Sequence, residues 1–595
     1  LTRRRRHSTI LLDTIKYYFK ILGFWLLLFF VAKVYFLIIN GSGFSDFSQL
    51  RDMWFHGLRL DISVIGYLLV LPILLSFAQR MVPLAVGSLL KVYWWTIFLL
   101  VVVILAVDPY FFLYWGQKTN LGFTQFLGKE NAGLSSIDLS TYITAIGVMA
   151  LCIVWFAKWG KRQLQHQIKI HWLISLLLLP LSFLMIRGSV DKVPINLSSA
   201  YYSSKNVYNN TAVNAVWSFM VTEFERDKHK PMVFFDSDEE AQLVLKKFKN
   251  KNSNSSIEEL IANTDSKNVI LIVLESFSAK TVGFINGATY GSTPELDKIM
   301  GEGIAYTSAY AASFRSDKGL LALTTSIASG ARQTLTNFPE VLANKPNIFN
   351  TLSEDYTTGF YYGGNLEFAN IKVLFKDADV VKSQQDFTST LVNAWGVHDE
   401  DVFRVFAEDF IAEPKPQFKM LFSLSSHEPF DVPNYNTKKN PYLNSIAYTD
   451  SCLGVLIGQL KASPKWGNTL VIITADHGTI RPDNAPIYDT TNFKIPLVLT
   501  GGVVLKDTVV HTVVSQAHIP ATIAQYASGS NPFLQPSLYY PAGYAFYSYH
   551  IGVSYVANNC TQYYDIIQKK YLNKQCDSAV ERAYYQLQNS DFFTP

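Results

Sequence analysis

Five apolar stretches crowd the first third of this 595-residue chain. They cover residues 17–39, 62–78, 92–107, 142–156 and 172–186. Each nears or passes the roughly 18–20 apolar residues that cross a bilayer, so this third is predicted to be a five-span membrane domain. The third and fifth (TIFLLVVVILAV and LISLLLLPLSFLM) are the most uniform, and the fourth is short and holds Gly147. Composition agrees: 16% of residues are charged and 49% hydrophobic, whereas a soluble domain carries about 25% charge. Aromatic residues at 14% exclude disorder for the bulk of the chain. A net charge of +4 argues against nucleic acid as the partner. Four cysteines are too few for a disulfide scaffold or a multi-cysteine zinc module.

Basic residues give the orientation. Arg3–Arg6 precede the first span, Arg80 and Lys91 lie between the second and third, and Lys158, Lys161, Arg162 and Lys169 lie between the fourth and fifth. Positive charge stays on the cytoplasmic side, so the N-terminus is inside and everything after about Arg187 is outside. A signal peptide is the competing reading of the first stretch; four further spans and the lack of a small-residue cleavage site weigh against it. Residues 40–61 and 108–141 are then outer loops, the second opening with DPYFF. Cys560 and Cys576 face the oxidising side in this topology, and whether they pair stays open.

Residues 188–267 read as an extracytoplasmic linker, rich in Ser and Asn, with one short helix inside the charged stretch 236–256. Residues 268–525 alternate all-apolar strand runs (269–275, 357–364, 418–426, 470–476, 495–501) with helical periods such as 293–301, 319–329 and 442–460. That alternation predicts an α/β domain with a central, mostly parallel sheet covered on both faces. Residues 526–595, rich in Tyr, read as a C-terminal extension packed on that domain.

In such sheets the chemistry sits at the carboxyl ends of strands. Glu275 ends the first run, Asp476 and His477 end LVIITA, His427 follows FKMLFSLSS, and Ser316 precedes a helical period between Arg315 and Asp317. Two carboxylates, an imidazole and a hydroxyl suit one divalent cation, with Mn²⁺ preferred and Mg²⁺ or Zn²⁺ as the other readings. A hydroxyl beside such an ion becomes a nucleophile near neutral pH. Arg315 and Lys318 add positive charge where a phosphate would sit. Taken singly, each has a plainer reading: a strand-end Asp forms turns, and a Ser before a helix is an N-cap.

The segments VILIVLESFSA, STPELDKIMGEGIAYTSAYA, SFRSDKGL, SLSSHEPF, ITADHG and IPLVLTG together resemble the lipoteichoic acid synthase and phosphoglycerol transferase branch of the alkaline phosphatase–sulfatase superfamily. The resemblance implies that Glu275, Ser316, Asp476 and His477 hold one Mn²⁺-like ion, with Ser316 the nucleophile and Arg315 assisting. Arg315-Ser316 stands where the family commonly has Lys-Thr. It further implies that His427 contacts the transferred phosphate or the leaving group, with Asn365, Asn370 and Lys318 as substrate-binding candidates. His518 stands where the family usually has an Asp. No C/S-x-P-x-R motif surrounds Ser316, so a formylglycine sulfatase is not implied.

The expected protein is therefore a multi-pass enzyme of a bacterial cytoplasmic (inner) membrane whose catalytic domain is extracytoplasmic. It would move a phospho-alcohol headgroup, phosphoglycerol first, from a membrane phospholipid to an envelope glycan, lipid or polymer through a covalent Ser intermediate. Phosphoethanolamine transfer and hydrolysis of a sulfate or phosphodiester are the alternatives within the superfamily. An inactive membrane-anchored binding module is the alternative of another class.

Overall fold

The computed structural model describes the chain apart from residue 1 and residues 41–46, 79–81, 116–117, 120–138, 161–171, 191–193, 204–205, 227–233, 250–255, 265–266, 329, 332–333, 394, 484, 486–488, 550–551, 566–569, 575, 577–578 and 591–595. Arg80, Lys161, Arg162, Lys169 and most of the second outer loop thus lie outside the described residues. The chain divides into two compact units, Leu1–Asp227 and Lys228–Thr594.

The first unit is built on helices α1 (Thr2–Asn40), α2 (Phe47–Ala78), α3 (Pro83–Trp115), α4 (Leu139–Trp155) and α5 (Trp172–Arg187). Among the described residues four helical stretches, not the five expected, are long and apolar enough to cross a membrane: Ile10–Asn40, Ser48–Phe77, Ala85–Leu113 and Leu139–Lys158. The fifth apolar segment forms the shorter helix Ile174–Arg187. α2 packs closely on α5, and a Cβ at Gly66 would stand 2.9 Å from the Ile186 nitrogen. α4 buries none of its residues within the unit, as suits a helix facing lipid.

Helices α2 and α3 run past the apolar stretches. Asp61 and Asp108, expected in or at the outer loops, sit inside helices instead. Each is tolerated there because it is paired: Lys33 Nζ lies 2.7 Å from Asp61, and Lys118 Nζ lies 2.6 Å from Asp108. Asn214 Nδ2 donates to the other Asp61 oxygen at 2.8 Å. Asn214 lies between helices α6 (Asn206–Ala212) and α7 (Ala215–Arg226), so the first part of the expected linker is helical and belongs to this unit. Helix α8 (Asp238–Lys249), by contrast, belongs to the second unit.

The second unit centres on a nine-stranded sheet. Its strands are β1 (Asn268–Leu274), β2 (Ile304–Tyr310), β3 (Thr357–Tyr362), β4 (Val380–Lys382), β5 (Gln417–Phe422), β6 (Thr469–Ala475), β7 (Lys494–Thr500), β8 (Thr508–Val510) and β9 (Val514–Ser515). The order is β4-β3-β5-β1-β6-β7-β2-β8, with β9 also on β2. Pairing is parallel except where β7 meets β6 and β2. Strands β1, β5 and β6 are buried along their whole length, which explains their mostly apolar sequence. Helices α9 (Pro294–Gly301), α10 (Ser316–Thr325), α11 (Asp399–Ala412), α12 (Pro441–Ala462) and α13 (Ile519–Ser528) accompany the sheet.

Strands β10 (Tyr544–Tyr549), β11 (Gly552–Ala557), β12 (Cys560–Asp565) and β13 (Lys570–Lys574) form an antiparallel sheet, followed by helix α14 (Ala579–Ser590). Its core is aromatic: Phe546 stacks on Tyr584 at 4.0 Å and Tyr547 on Phe493 at 3.8 Å. Cys560 and Cys576 are joined as a disulfide, answering the question the sequence leaves open.

Candidate metal centre

Register brings the two carboxylates together. In the parallel pair β1–β6, Leu274 faces Ala475. The next residue on each strand, Glu275 and Asp476, therefore leaves the sheet at the same level. Strand β5 flanks β1 on its other side, and its trailing serines fix Glu275: Ser423 Oγ accepts from the Glu275 N–H at 2.8 Å, and Ser426 Oγ donates to the Glu275 carbonyl at 2.5 Å. Ser276 holds the left-handed conformation at φ +55°. There its N–H donates to Asp476 Oδ1 at 2.8 Å and its hydroxyl to Glu275 Oε1 at 2.7 Å, so one strained residue ties both carboxylates.

Ser316 opens helix α10. The helix sits on the β6 end because residue 319 is glycine; a Cβ there would lie 2.0 Å from the Asp476 carbonyl oxygen. Ser316 Oγ is 3.2 Å from Glu275 Oε2 and 3.4 Å from His477 Nε2. His477 Nε2 is in turn 3.4 Å from Asp476 Oδ2 and 3.6 Å from Glu275 Oε1. Ligand atoms of Glu275, Asp476 and His477 lie within 4.8 Å of one another, and all three residues are buried.

This donor set fits a cation. His477 Nδ1 is 2.8 Å from the Gly478 carbonyl. A carbonyl only accepts, so Nδ1 carries the proton and Nε2 offers its lone pair to the cluster. Asp476 Oδ2 is buried and makes no hydrogen bond. Burial, then the Glu275 charge, pushes the Asp476 carboxyl up to about 7. Burial pulls the His477 imidazole down, but the carboxylates of Asp476 and Glu275 outweigh it and raise the net value. Two buried carboxylates crowded about one imidazole make a site that gains from added positive charge.

His427 follows Ser426 at the same edge. Its Nδ1 donates to the Glu428 carbonyl at 2.8 Å, which leaves Nε2 with the lone pair. Burial lowers its pKa. Trp395 packs on the His427 ring with centroids 4.2 Å apart, and its Nε1 donates to the same Glu428 carbonyl at 2.8 Å.

The remaining candidates are placed differently. Lys318 is buried, and its ammonium donates to the carbonyls of Gly330 at 2.6 Å and Ala331 at 2.9 Å. It therefore holds a loop, and burial lowers it to about 8. Arg315 is half exposed and pairs with Asp317 at 3.0 Å. Asn365 uses its side-chain oxygen to cap the Glu367 N–H at 2.8 Å. Asn370 sits at φ +60° with its Nδ2 3.5 Å from Asn337 Oδ1. The structure brings Glu275, Ser316, Asp476 and His477 together, with His427 at their edge; neither asparagine makes a described contact with them. Sequence reading passes over Ser276, Ser423, Ser426 and Trp395. Only the run SLSS at a strand end signals any of them.

The family match falls in the second unit. Residues 267–530 match the Sulfatase family. A lipoteichoic acid synthase of Staphylococcus saprophyticus is 23% identical over 248 residues, 37% of each chain. Lipoteichoic acid synthase 1 of Bacillus subtilis is 24% identical over 251 residues, 37% of this chain and 38% of the relative. The match thus spans under two-fifths of the length of these curated relatives. A solved Vibrio parahaemolyticus protein of the alkaline phosphatase superfamily superposes with TM-score 0.52 at 23% identity, covering 60% of this chain and 95% of its own. The second unit thus has the fold of that alkaline phosphatase superfamily protein, and residues 267–530 are similar to the Sulfatase family, as part of the chain is to lipoteichoic acid synthases.

Proposed function

We propose that the protein is a membrane-bound, metal-dependent transferase that moves a phospho-alcohol headgroup, phosphoglycerol first, from a phospholipid to an envelope glycan, lipid or polymer. The observation that carries the reading is the convergence of Ser316 Oγ with Glu275 and His477 at 3.2 and 3.4 Å, from three segments remote in sequence. Likeness to proteins named lipoteichoic acid synthases supports the substrate class. Membrane-length helices in the same chain give access to a lipid donor. In this reading the host is a bacterium, and the catalytic unit stands outside its cytoplasmic membrane.

Glu275, Asp476, His477 and Ser316 would hold one divalent cation, Mn²⁺ first. Bound there, it would withdraw charge from the serine oxygen and from the phosphoryl oxygens. Ser316 Oγ forms a bond to phosphorus while the bond from phosphorus to the diacylglycerol oxygen breaks. The hydroxyl proton leaves Oγ, and the diacylglycerol oxygen takes one up, so the half-reaction is proton-neutral. In the second half-reaction the acceptor oxygen forms a bond to phosphorus while the bond from phosphorus to Ser316 Oγ breaks; the acceptor's proton passes to a base and Oγ takes one up. His427 Nε2 suits that role, because burial keeps the ring neutral near pH 7 and Nδ1 is already committed. Arg315, half exposed at the head of α10, would assist by meeting the headgroup phosphate.

The test is Ser316→Ala, read as headgroup release from labelled phosphatidylglycerol by Mn²⁺-loaded protein. Release should fall at least about 10³-fold, and no phosphorylated protein should be trapped. Undiminished release with the ion bound would remove Ser316 from the nucleophile's role.

A further inference from the structure

The segment before Ser316 is gripped from two sides, and one grip leads back to the metal centre. Gln516 follows β9, which pairs with the end of β2 so that Ser515 faces Tyr310. This places the Gln516 side chain, fully buried, beside the chain leaving β2. Its Oε1 accepts from the Ala312 N–H at 3.0 Å. Its Nε2 donates to the carbonyls of Ala475 at 2.7 Å and Asp476 at 2.8 Å. The amide orientation is determined by its partners: a flipped group would set its oxygen against two carbonyls and its NH₂ against an N–H.

On the other side stands Ser548 of β10. Its N–H donates to the Ala312 carbonyl at 2.9 Å. Ser313 Oγ donates to the Ser548 carbonyl at 3.0 Å, and Ser548 Oγ to Ser313 Oγ at 3.1 Å. Both polar backbone groups of Ala312 are therefore committed, three and four residues upstream of Arg315 and Ser316. The Asp476 carbonyl that receives Gln516 is also the atom that Gly319 of α10 sits against.

We infer that Gln516 is a positioning residue: its single amide registers the strand end bearing Asp476 against the backbone that carries Ser316, with Ser313 and Ser548 as the opposing jaw. The inference rests on the reading of Ser316 as nucleophile. Its physical basis is distance. Ser316 Oγ lies 3.2 and 3.4 Å from its partners, and a displacement of about 1 Å at such a centre costs about 10²-fold in rate. A glutamine is suited to the task because one side chain supplies an acceptor for one segment and two donors for the other.

The experiment compares Gln516→Glu and Ser313→Ala with the unaltered full-length protein in detergent. Three quantities are read: thermal midpoint, Mn²⁺ Kd by calorimetric titration, and kcat and KM for headgroup release. Gln516→Glu keeps the acceptor for Ala312 and loses both donors. It should weaken Mn²⁺ binding about tenfold, the range for groups that orient a ligand, and lower kcat about 30- to 100-fold with KM within about twofold. Ser313→Ala should lower kcat about threefold to tenfold and leave the Mn²⁺ Kd unchanged, because it loosens only the jaw remote from Asp476. A lowered midpoint with unaltered kcat and Kd per folded molecule, in either variant, would overturn the inference and leave Gln516 a core amide. Should Gln516→Glu fail to fold, Ser313→Ala decides by its kcat. Ser316→Ala separates the two ideas: full activity there sinks the nucleophile, whereas loss there with unaltered Gln516 and Ser313 variants sinks only the positioning role.

Discussion

Buried carboxylates occur in both units, and they are satisfied in opposite ways. In the first unit Asp61 and Asp108 each have a private ammonium, Lys33 at 2.7 Å and Lys118 at 2.6 Å, and each takes a further hydrogen bond from Asn214 or the Thr119 N–H. Those clusters are neutral and closed. In the second unit Glu275 and Asp476 share one imidazole, and every backbone device around them, from Ser276 to Ser423, fixes their direction without neutralising them. The first arrangement spends charge on holding helices together. The second keeps two charges close at a cost to the bare protein, which is how a cation site is built.

The sharpest way to break this contrast is to remove one carboxylate from each cluster. Asp476→Asn should abolish Mn²⁺ binding in titration and cut headgroup release at least about 10³-fold, equivalent to about 4 kcal/mol of transition-state stabilisation. The same change should raise the melting temperature of the metal-free protein, because it relieves repulsion with Glu275. Asp61→Asn should do the reverse. It leaves Lys33 buried without its partner and should destabilise the first unit by about 3–5 kcal/mol. The double change Lys33→Leu with Asp61→Leu should recover most of that loss in the same denaturation assay. Equal and same-signed stability changes from Asp476→Asn and Asp61→Asn would show that the two clusters do not differ in kind.

The sequence makes the chemistry of the second unit visible and hides its scaffolding. Glu275, Asp476 and His477 end short apolar runs that alternate with helical periods, and runs of that length and setting read as buried strands whose ends face one edge of a sheet. Ser316 is legible because a helical period follows it. The groups that hold them are not legible, because their partners come from register. Nothing in QAH tells a reader that residue 516 lies against residues 312 and 475. Lys318 illustrates the converse. Closeness in sequence to the candidate serine says nothing of where a side chain on the first turn of a helix points, and this one turns to Gly330 and Ala331. The antiparallel direction of β7 is not legible in its sequence, and β2 escapes notice because IAYTSAY lacks the apolar density of its neighbours. In the first unit the apolar stretches locate the helices but not their ends, because paired Asp61 and Asp108 extend them.

Titration sharpens the comparison further. The Asp476 carboxyl rests at about 7 without an ion, above the ordinary value of 3.8, and His477 is also raised. A group whose native value lies above its unfolded one favours the protonated native state. The stability this gives is full below about 4 and is lost as pH rises through about 7. The metal-free protein should therefore melt at progressively lower temperature across that window. Mn²⁺ affinity should move the other way, because the ion competes with the proton on Asp476, rising about eightfold from pH 6 to 7.5 for a single proton released. Calorimetry in two buffers of different ionisation enthalpy counts that proton. A pH-independent affinity would mean that Asp476 carries no proton to displace.

The smallest expected effect concerns Lys318, which sits between the two kinds of burial. Its ammonium is buried like Lys33, yet its hydrogen bonds go to two carbonyls, with Asp317 adding only a favourable field. Lys318→Met keeps the length of the side chain and removes the donors, leaving the Gly330 and Ala331 carbonyls without this partner. The loss should be about 1–3 kcal/mol in denaturant unfolding, the cost of stranding buried acceptors. If the lysine met the substrate phosphate, the same variant would raise KM for the phospholipid about tenfold, as expected when one charge-assisted hydrogen bond is lost. The geometry requires KM within about twofold of the unaltered protein, a change no larger than ordinary scatter between such contacts. Stability and affinity are thus read from one variant, and only a fall in the first with constancy in the second is consistent with a lysine turned away from the site.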